Sequence, residues 1–461
     1  MSISASLGIG SGIDINSLVT QLVKADGQPA INALDRQQST ASSRLSALGQ
    51  LKSALSDFQT AVKKLNEPGT FKSQQAVSSN ETLATAKTSL GAVSGSYAIE
   101  VMQLAKPQKS VTTTEFSDLN AAVGEGSLDF TVGTKTPFSV TIDSTNNTLA
   151  GIRDAINSAT DNNGVSASII NVDKAGGGGT ISKLVLSAKE PGTANSFTVS
   201  GTESGGAGLS QLFTPQLTEL NAGLDAIIKV DGQTATRSTN SISDVIPGVT
   251  IALKSAPTVS TPFKLDISVD TKAITDASTG FVDAYNKLQT VMKNLGKYDS
   301  TTKMGGALVG DSTLRSIQAQ IRLATGSSVS SATSGTNSLA MIGINIDRNG
   351  VMVLDSTQFN STLNSNLSAL SEVFTSSDGV TNRLNTALTQ NLQSGGLFDG
   401  QTTSLNNRLK SITDNRVKVQ LRLDTLQKTL LKQFTAMDSA VGKFKSTGTY
   451  LTQQFTKTTT A

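Results

Sequence analysis

Ser404–Phe444 reads SLNNRLKSITDNRVKVQLRLDTLQKTLLKQFTAMDSAVGKF. Apolar residues recur there in steps of three and four. One seam position holds Leu405, Ile412, Val419, Leu426, Gln433 and Ala440; the other holds Leu409, Arg416, Leu423, Leu430, Met437 and Phe444. At about 3.6 residues per turn this spacing keeps all twelve on one stripe, the heptad rule of paired helices. Forty helical residues rise about 60 Å at ~1.5 Å each. The segment has no Pro, and Gly442 lies near its end. Only Arg416 and Gln433 are polar, so they are expected to loosen the grip of the stripe or set its register.

The other end of the chain carries a matching pattern. Ile31, Leu34, Gln38, Ala41, Leu45 and Leu48 keep the same spacing. Leu51, Leu55, Phe58, Val62 and Leu65 continue it after a phase slip near Leu48, and Glu67-Pro68-Gly69 ends it, since a residue before Pro avoids the helical region. A shorter helix through Leu18, Val19, Leu22 and Val23 is expected ahead, capped by Asn16 or Ser17 and separated by Asp26-Gly27-Gln28-Pro29. Each stripe must be buried, either against the other or against neighbouring subunits. Residues 405–445 hold nine Lys/Arg and three Asp/Glu, and residues 31–65 hold five and two. Mutual pairing therefore gains little from charge, and the basic excess reads as a solvated face.

Between the ends the pattern is β-rich. Strands are expected at Ser96–Met102, within Leu128–Ile142, at Val165–Val172, Leu184–Leu186, Ala226–Val230, Val249–Leu253 and Phe263–Val269. Leu149–Ile156 reads as a short helix. Gly176–Gly179 and Gly201–Gly208 read as flexible stretches, and Pro247-Gly248 as a turn. Helices return at Ile274–Leu295 and Ser312–Leu323. Ile342–Leu354 reads as a hairpin turning at Asn349-Gly350. Asp355-Ser356-Thr357-Gln358 then reads as a capping box for one helix through Phe359, Leu363, Leu367, Leu370 and Phe374. The fold class is α+β multidomain: a helical, coiled-coil-like leg from both termini with inserted β-rich head domains. The expected divisions are 1–44 with 406–461 for the leg and 45–76 with 273–405 for a leg-proximal domain. One head domain spans 77–106 with 216–272, and a second, variable one spans 107–215.

The chain's 461 residues exceed one ordinary core. Only 4% are aromatic and none is Trp, so Leu, Ile, Val and Ala must build the cores. There is no Cys and no His. That excludes disulfides, thiolate nucleophiles, His-based triads and zinc sites of the usual ligands, and it agrees with export of an unfolded chain. With 38 Lys+Arg against 35 Asp+Glu, no field favours nucleic acid or an anionic membrane. No apolar run reaches the roughly 18 residues of a membrane span. No basic residue precedes Lys24 and no apolar h-region follows, so a cleaved secretory signal is not expected.

Chemical motifs are sparse. Gly8-Ile9-Gly10-Ser11-Gly12 lacks the preceding strand of a dinucleotide loop. In Gly305–Ser312 an Asp, Asp311, stands where a phosphate loop has Lys, and it reads as a helix cap instead. Asp161–Gly164 lacks the ligands of a calcium loop. No carboxylate pair is nominated for glycoside cleavage. Neither a catalytic residue nor a cofactor or metal site is expected.

Several blocks resemble the bacterial flagellar filament cap protein family, flagellar hook-associated protein 2. They are GIGSGIDINSLVTQLVKAD (Gly8–Asp26), GSYAIEVMQLAK (Gly95–Lys106), TRSTNSISDVIPGVTIALK (Thr236–Lys254), FVDAYNKL (Phe281–Leu288), GDSTLRSIQAQIR (Gly310–Arg322) and STGTYLTQQF (Ser446–Phe455). They run in the family's order; residues 107–225 match less distinctly. The resemblance implies a secreted structural protein at the flagellum tip, with no signal cleaved. It also implies a ring-like homo-oligomer, flagellin folding and inserting beneath it, and an export chaperone and type III export apparatus as partners. On this reading Leu18, Leu22, Ile31, Leu34, Leu45, Leu55, Leu409, Ile412, Val419, Leu423, Leu426, Leu430, Met437, Phe444, Tyr450, Leu451 and Phe455 make the oligomer, filament and chaperone contacts. Replacing Leu423 and Leu430 by Asp is then expected to abolish capping and chaperone binding while the inserted domains stay folded. Other readings are a flagellin or hook–filament junction protein, a tip adhesin for mucus or glycans, and a glycan-cleaving enzyme.

Overall fold

The computed structural model describes residues 11–458, apart from 207, 260 and 302. It divides into a helical unit, 11–70 with 275–458, and a β-rich unit, Phe71–Ile274.

The chain opens with α1 (Ile15–Asn66), capped by Asp14, whose carboxylate accepts from Ser17 N at 3.0 Å. The helix runs unbroken through Asp26–Pro29, where the sequence suggested two helices and a cap at Asn16 or Ser17. Pro29 forfeits one backbone hydrogen bond. Against that loss, the bare backbone at Gly27 is buried beneath Leu423: a Cβ there would lie 2.4 Å from Leu423 Cδ1. Packing across this point overrides the local break.

The β-rich unit holds β1 (Gln74–Ser78), β2 (Ala84–Thr88), β3 (Gly95–Gln103), β4 (Lys109–Thr112), β5 (Glu125–Val132), β6 (Phe138–Ile142), α2 (Leu149–Ser158), β7 (Val165–Asp173), β8 (Thr180–Ala188), β9 (Phe197–Gly205), β10 (Leu217–Asn221), β11 (Ala226–Val230), β12 (Gln233–Arg237), β13 (Ser241–Ile246), β14 (Val249–Leu253) and β15 (Phe263–Val269). Neighbouring strands pair antiparallel.

Two separate cores form. In one, sheet β1-β15-β3-β11-β12 meets sheet β13-β14-β2 over Ile99, Val101, Ile228, Ile251 and Leu265. In the other, sheets β10-β4-β8-β7 and β6-β5-β9 share a core with α2. Phe130 and Phe138 sit opposite each other in the β5–β6 register, their rings stacked at 4.8 Å. Helix α2 starts at Thr148, whose hydroxyl accepts from Gly151 N at 3.0 Å, and it buries Leu149, Ile152 and Ile156 on one face. The expected flexible stretch at Gly201–Gly208 is strand as far as Gly205. Gly201 is needed there because a Cβ would fall 2.0 Å from Ser127 O across the ladder.

The helical unit resumes with α3 (Thr271–Gly296), β16 (Tyr298–Asp299), β17 (Met304–Gly305), α4 (Ser312–Gly326), β18 (Ile344–Ile346), β19 (Met352–Leu354), α5 (Ser356–Ser365), α6 (Leu367–Thr375), α7 (Val380–Leu392) and α8 (Leu397–Thr458). Phe58 of α1 lies 5.6 Å from Phe281 and 6.0 Å from Tyr285, and Phe281 lies 6.2 Å from Phe374. This aromatic cluster joins α1, α3 and α6. Asp355 caps α5 as expected, but Gln358 turns away to the carbonyls of Ala340 and Met341, so the capping box is half-formed. The helix expected through Phe374 divides at Asn366, whose side chain caps α6 through Ala369 N at 3.0 Å. The architecture is otherwise the expected one, long helices from both ends around β-rich insertions.

Candidate functional site

Helices α1 and α8 lie antiparallel. Ser11 donates from N and Oγ to Asp438 Oδ1 at 2.7 and 2.5 Å. Arg422 meets Asp26 at 2.9 Å, and Arg416 pairs with Asp35 while reaching Gln38 at 3.1 Å. The polar seam residues Arg416 and Gln38 thus face each other. These pairs are largely exposed, so each is worth no more than about 1 kcal/mol and mainly marks register. Of the acids of α1, Asp26 and Asp35 meet α8's arginines and Asp57 meets Lys287.

The apolar seam closes over part of its length. Ile412 and Leu423 are buried, as is Leu34, and Leu409, Val419, Leu426, Leu430, Leu18, Ile31 and Leu45 are half-buried. Leu22 is exposed. Leu55 is fully buried but belongs to the short-helix core near Phe58, beyond the level of α8's first turn. Because Leu423 fills the hollow at Gly27, an Asp there breaks a contact inside one chain.

After Leu430 the packed side shifts by one residue. Phe434, Asp438 and Val441 turn inward, while Gln433, Met437, Ala440 and Phe444 are exposed. A straight helix gains ~20° per heptad over a strict seven-residue repeat. A heptad read from sequence therefore leaves the contact face after several turns. What remains outward is an apolar stripe: Met437, Phe444, Leu451 and Phe455 recur on one side of α8, with Tyr450 beside them. Phe444 is 77% exposed. Val417 and Leu421, apolar but off the seam, are exposed as well; their i, i+4 spacing was the available signal.

The motifs set aside earlier have structural roles. Asp311 accepts from Thr313 N and Leu314 N at 2.9 and 3.2 Å and pairs with Arg44 at 2.9 Å, so it caps α4. The Asn162 amide fastens its turn to Ile156 O and Val165 O. Gly8–Gly10 lie outside the described residues. Among the described residues, no group of three or more acids is gathered as a metal site would need, and no helix is long and apolar enough to cross a membrane.

Comparison with known proteins bears on this surface. The family model "Flagellar hook-associated protein 2 N-terminus" matches residues 11–108 and "Flagellar hook-associated protein 2 C-terminus" matches 223–446. "Flagellin hook IN motif" matches 127–190. The B-type flagellar hook-associated protein 2 of Pseudomonas aeruginosa is 33% identical over 456 residues, 94% of each chain. Flagellar hook-associated protein 2 of Escherichia coli K12 is 32% identical over 472 residues, 98% of each. The crystal structure of the D1-D2-D3 domains of the Escherichia coli flagellar cap protein FliD matches with a TM-score of 0.65 at 32% identity, covering 78% of this chain and 99% of that one.

Proposed function

Because the chain belongs to the flagellar hook-associated protein 2 family, we propose that it caps the distal end of the flagellar filament and that exported flagellin folds and inserts beneath it. The observation that carries this reading is the outward stripe of α8. Phe444, Tyr450 and Leu451 stand in solvent in a single copy. Each such side chain is worth roughly 1.5–3 kcal/mol once buried, so the stripe is a strong but divisible contact. Seated between filament subunits, it holds the cap. Released turn by turn, it re-seats as subunits are added.

Further assignments follow. Several copies close into a ring. Before assembly an export chaperone covers the same stripe, and the chain leaves through the type III export apparatus to the filament tip. Residues 1–44 with 406–461 act as the leg and 45–76 with 273–405 as the domain next to it. The two separate β cores support a division into two head domains, 77–106 with 216–272 and 107–215, with β10 of the first range paired into the sheet of the second.

The test is a triple variant at exposed positions, Phe444→Asp, Tyr450→Ser and Leu451→Asp. Cells carrying it should shed flagellin into the medium and bear short or absent filaments by electron microscopy. The purified variant should keep its circular dichroism. Filaments of normal length and number would refute the reading.

A further inference from the structure

A cleft of about 590 Å3 lies within the helical unit, between the end of α3, the first turns of α4 and the tip of the β18–β19 hairpin. Its floor is aliphatic, from the buried Met292, Leu308 and Leu314. Its rim is cationic, from the exposed Lys293, Lys297 and Arg315. The one carboxylate on the lining, Asp311, is already engaged by Arg44 and by the first amides of α4. Lys293 and Lys297 form no ion pair among the described residues.

The rim continues along α4. Arg315 and Gln318 also line a second hollow of about 490 Å3 with Ala319, Arg322 and Leu323. Arg315 and Arg322 are seven residues apart on one helix face, about 10 Å. Between them the small Ala319 leaves room, and next to Arg322 Leu323 is 71% exposed. Four cations thus edge an aliphatic strip, and the only carboxylate among the described residues lining it, Asp311, is already engaged.

We propose that this strip docks an acidic, aliphatic protein segment. Its Asp or Glu carboxylates would meet the guanidinium forks of Arg315 and Arg322, the geometry in which Arg binds carboxylates best, and its Leu- or Ile-type side chains would cover Leu323 and the cleft floor. A sugar is less suited, because no aromatic ring lines either hollow to stack on a pyranose face. The strip is separate from the stripe of α8 and does not depend on the capping reading.

The experiment uses the full chain and a fluorescein-labelled helical peptide bearing Glu and Leu at i, i+3, i+4 and i+7, read by fluorescence anisotropy at physiological salt. A second peptide carries Gln for every Glu. The variant Lys293→Ser/Arg315→Ser/Arg322→Ser should weaken binding of the Glu peptide by about tenfold or more. A charge-matched control on α8, Lys418→Ser/Lys428→Ser/Lys432→Ser, should change it by less than about twofold. The Gln peptide should not bind. Equal losses in both variants would show attraction to net charge alone, and no loss in the strip variant would show another site; either overturns the proposal. So would tight binding of heparin or polygalacturonate that the strip variant abolishes, in the absence of peptide binding.

Discussion

Replacing Gly27 by Ala tests whether packing holds α1 straight through Pro29. The new methyl would lie 2.4 Å from Leu423 Cδ1 and 3.3 Å from its Cγ, so Leu423 must turn or the helices must part. Overpacking of this kind costs about 1–3 kcal/mol. Ala in a helix interior returns about 1 kcal/mol over Gly, leaving a net loss of roughly 0–2 kcal/mol. Leu423→Ala alone removes a buried side chain and leaves a hollow, about 2–5 kcal/mol. In the double variant the methyl at 27 enters the space vacated at 423, so the two losses should fall short of their sum by about 1 kcal/mol or more. A multidomain chain does not unfold in two states. The proper assay is therefore amide hydrogen exchange, followed by mass spectrometry, for peptides from residues 15–45 and 405–435. If the double variant exchanges as fast as the two single effects added together, Leu423 does not act through Gly27 and the account of the unbroken helix is wrong.

Three further outcomes are expected. Phe130→Ala removes a fully buried ring stacked on Phe138 and should cost about 3–5 kcal/mol, seen as early melting of the β5–β6 region by hydrogen exchange while Phe58 and its neighbours stay protected. Asp311→Ala loses both the α4 cap and the pair with Arg44, and should destabilise α4 by about 1–2 kcal/mol. The hydroxyls of Ser330 and Ser331 hold the Asp378 carboxyl well below the usual carboxylate range. With a depressed folded-state pKa its contribution is complete above the unfolded value of about 4 and disappears only as pH falls through the lower folded value. The 327–337 loop should therefore stay protected from exchange at pH 4 and loosen only under stronger acid.

The long helices were legible because only a helical period keeps residues spaced by three and four on one face for many turns. The cap at Asp311, the hairpin at Asn349-Gly350 and the apolar strands were legible for equally local reasons. Strands β10 and β12, reading LTELN and QTATR, were not, because edge strands bury too little to impose an apolar alternation. The division at Asn366 was hidden because Phe359, Leu363, Leu367 and Leu370 keep helical spacing across it, while the chain turns between two short helices. In the candidate surface, Leu423, Ile412 and Phe444 were read alike as outside contacts, whereas the structure buries the first two and leaves Phe444 exposed. What the spacing alone did not carry was the boundary between them. That depends on the true pitch of α8 and on how far α1 reaches, and both are three-dimensional quantities.

The mismatch of pitch in α8 works like a vernier. Two scales, one of sequence repeat and one of helical turn, coincide around Leu423 and have parted by about 60° three heptads along, at Phe444. One extra residue inserted between Leu430 and Phe434 would carry Met437 and Ala440 to the inward places now held by Asp438 and Val441, and Phe434 to that of Thr435. The amino-acid content of the tip would be unchanged, yet Met437 and Ala440 would be withdrawn from its exposed side. The count of residues along this helix is thus as much a determinant of stickiness as their kind.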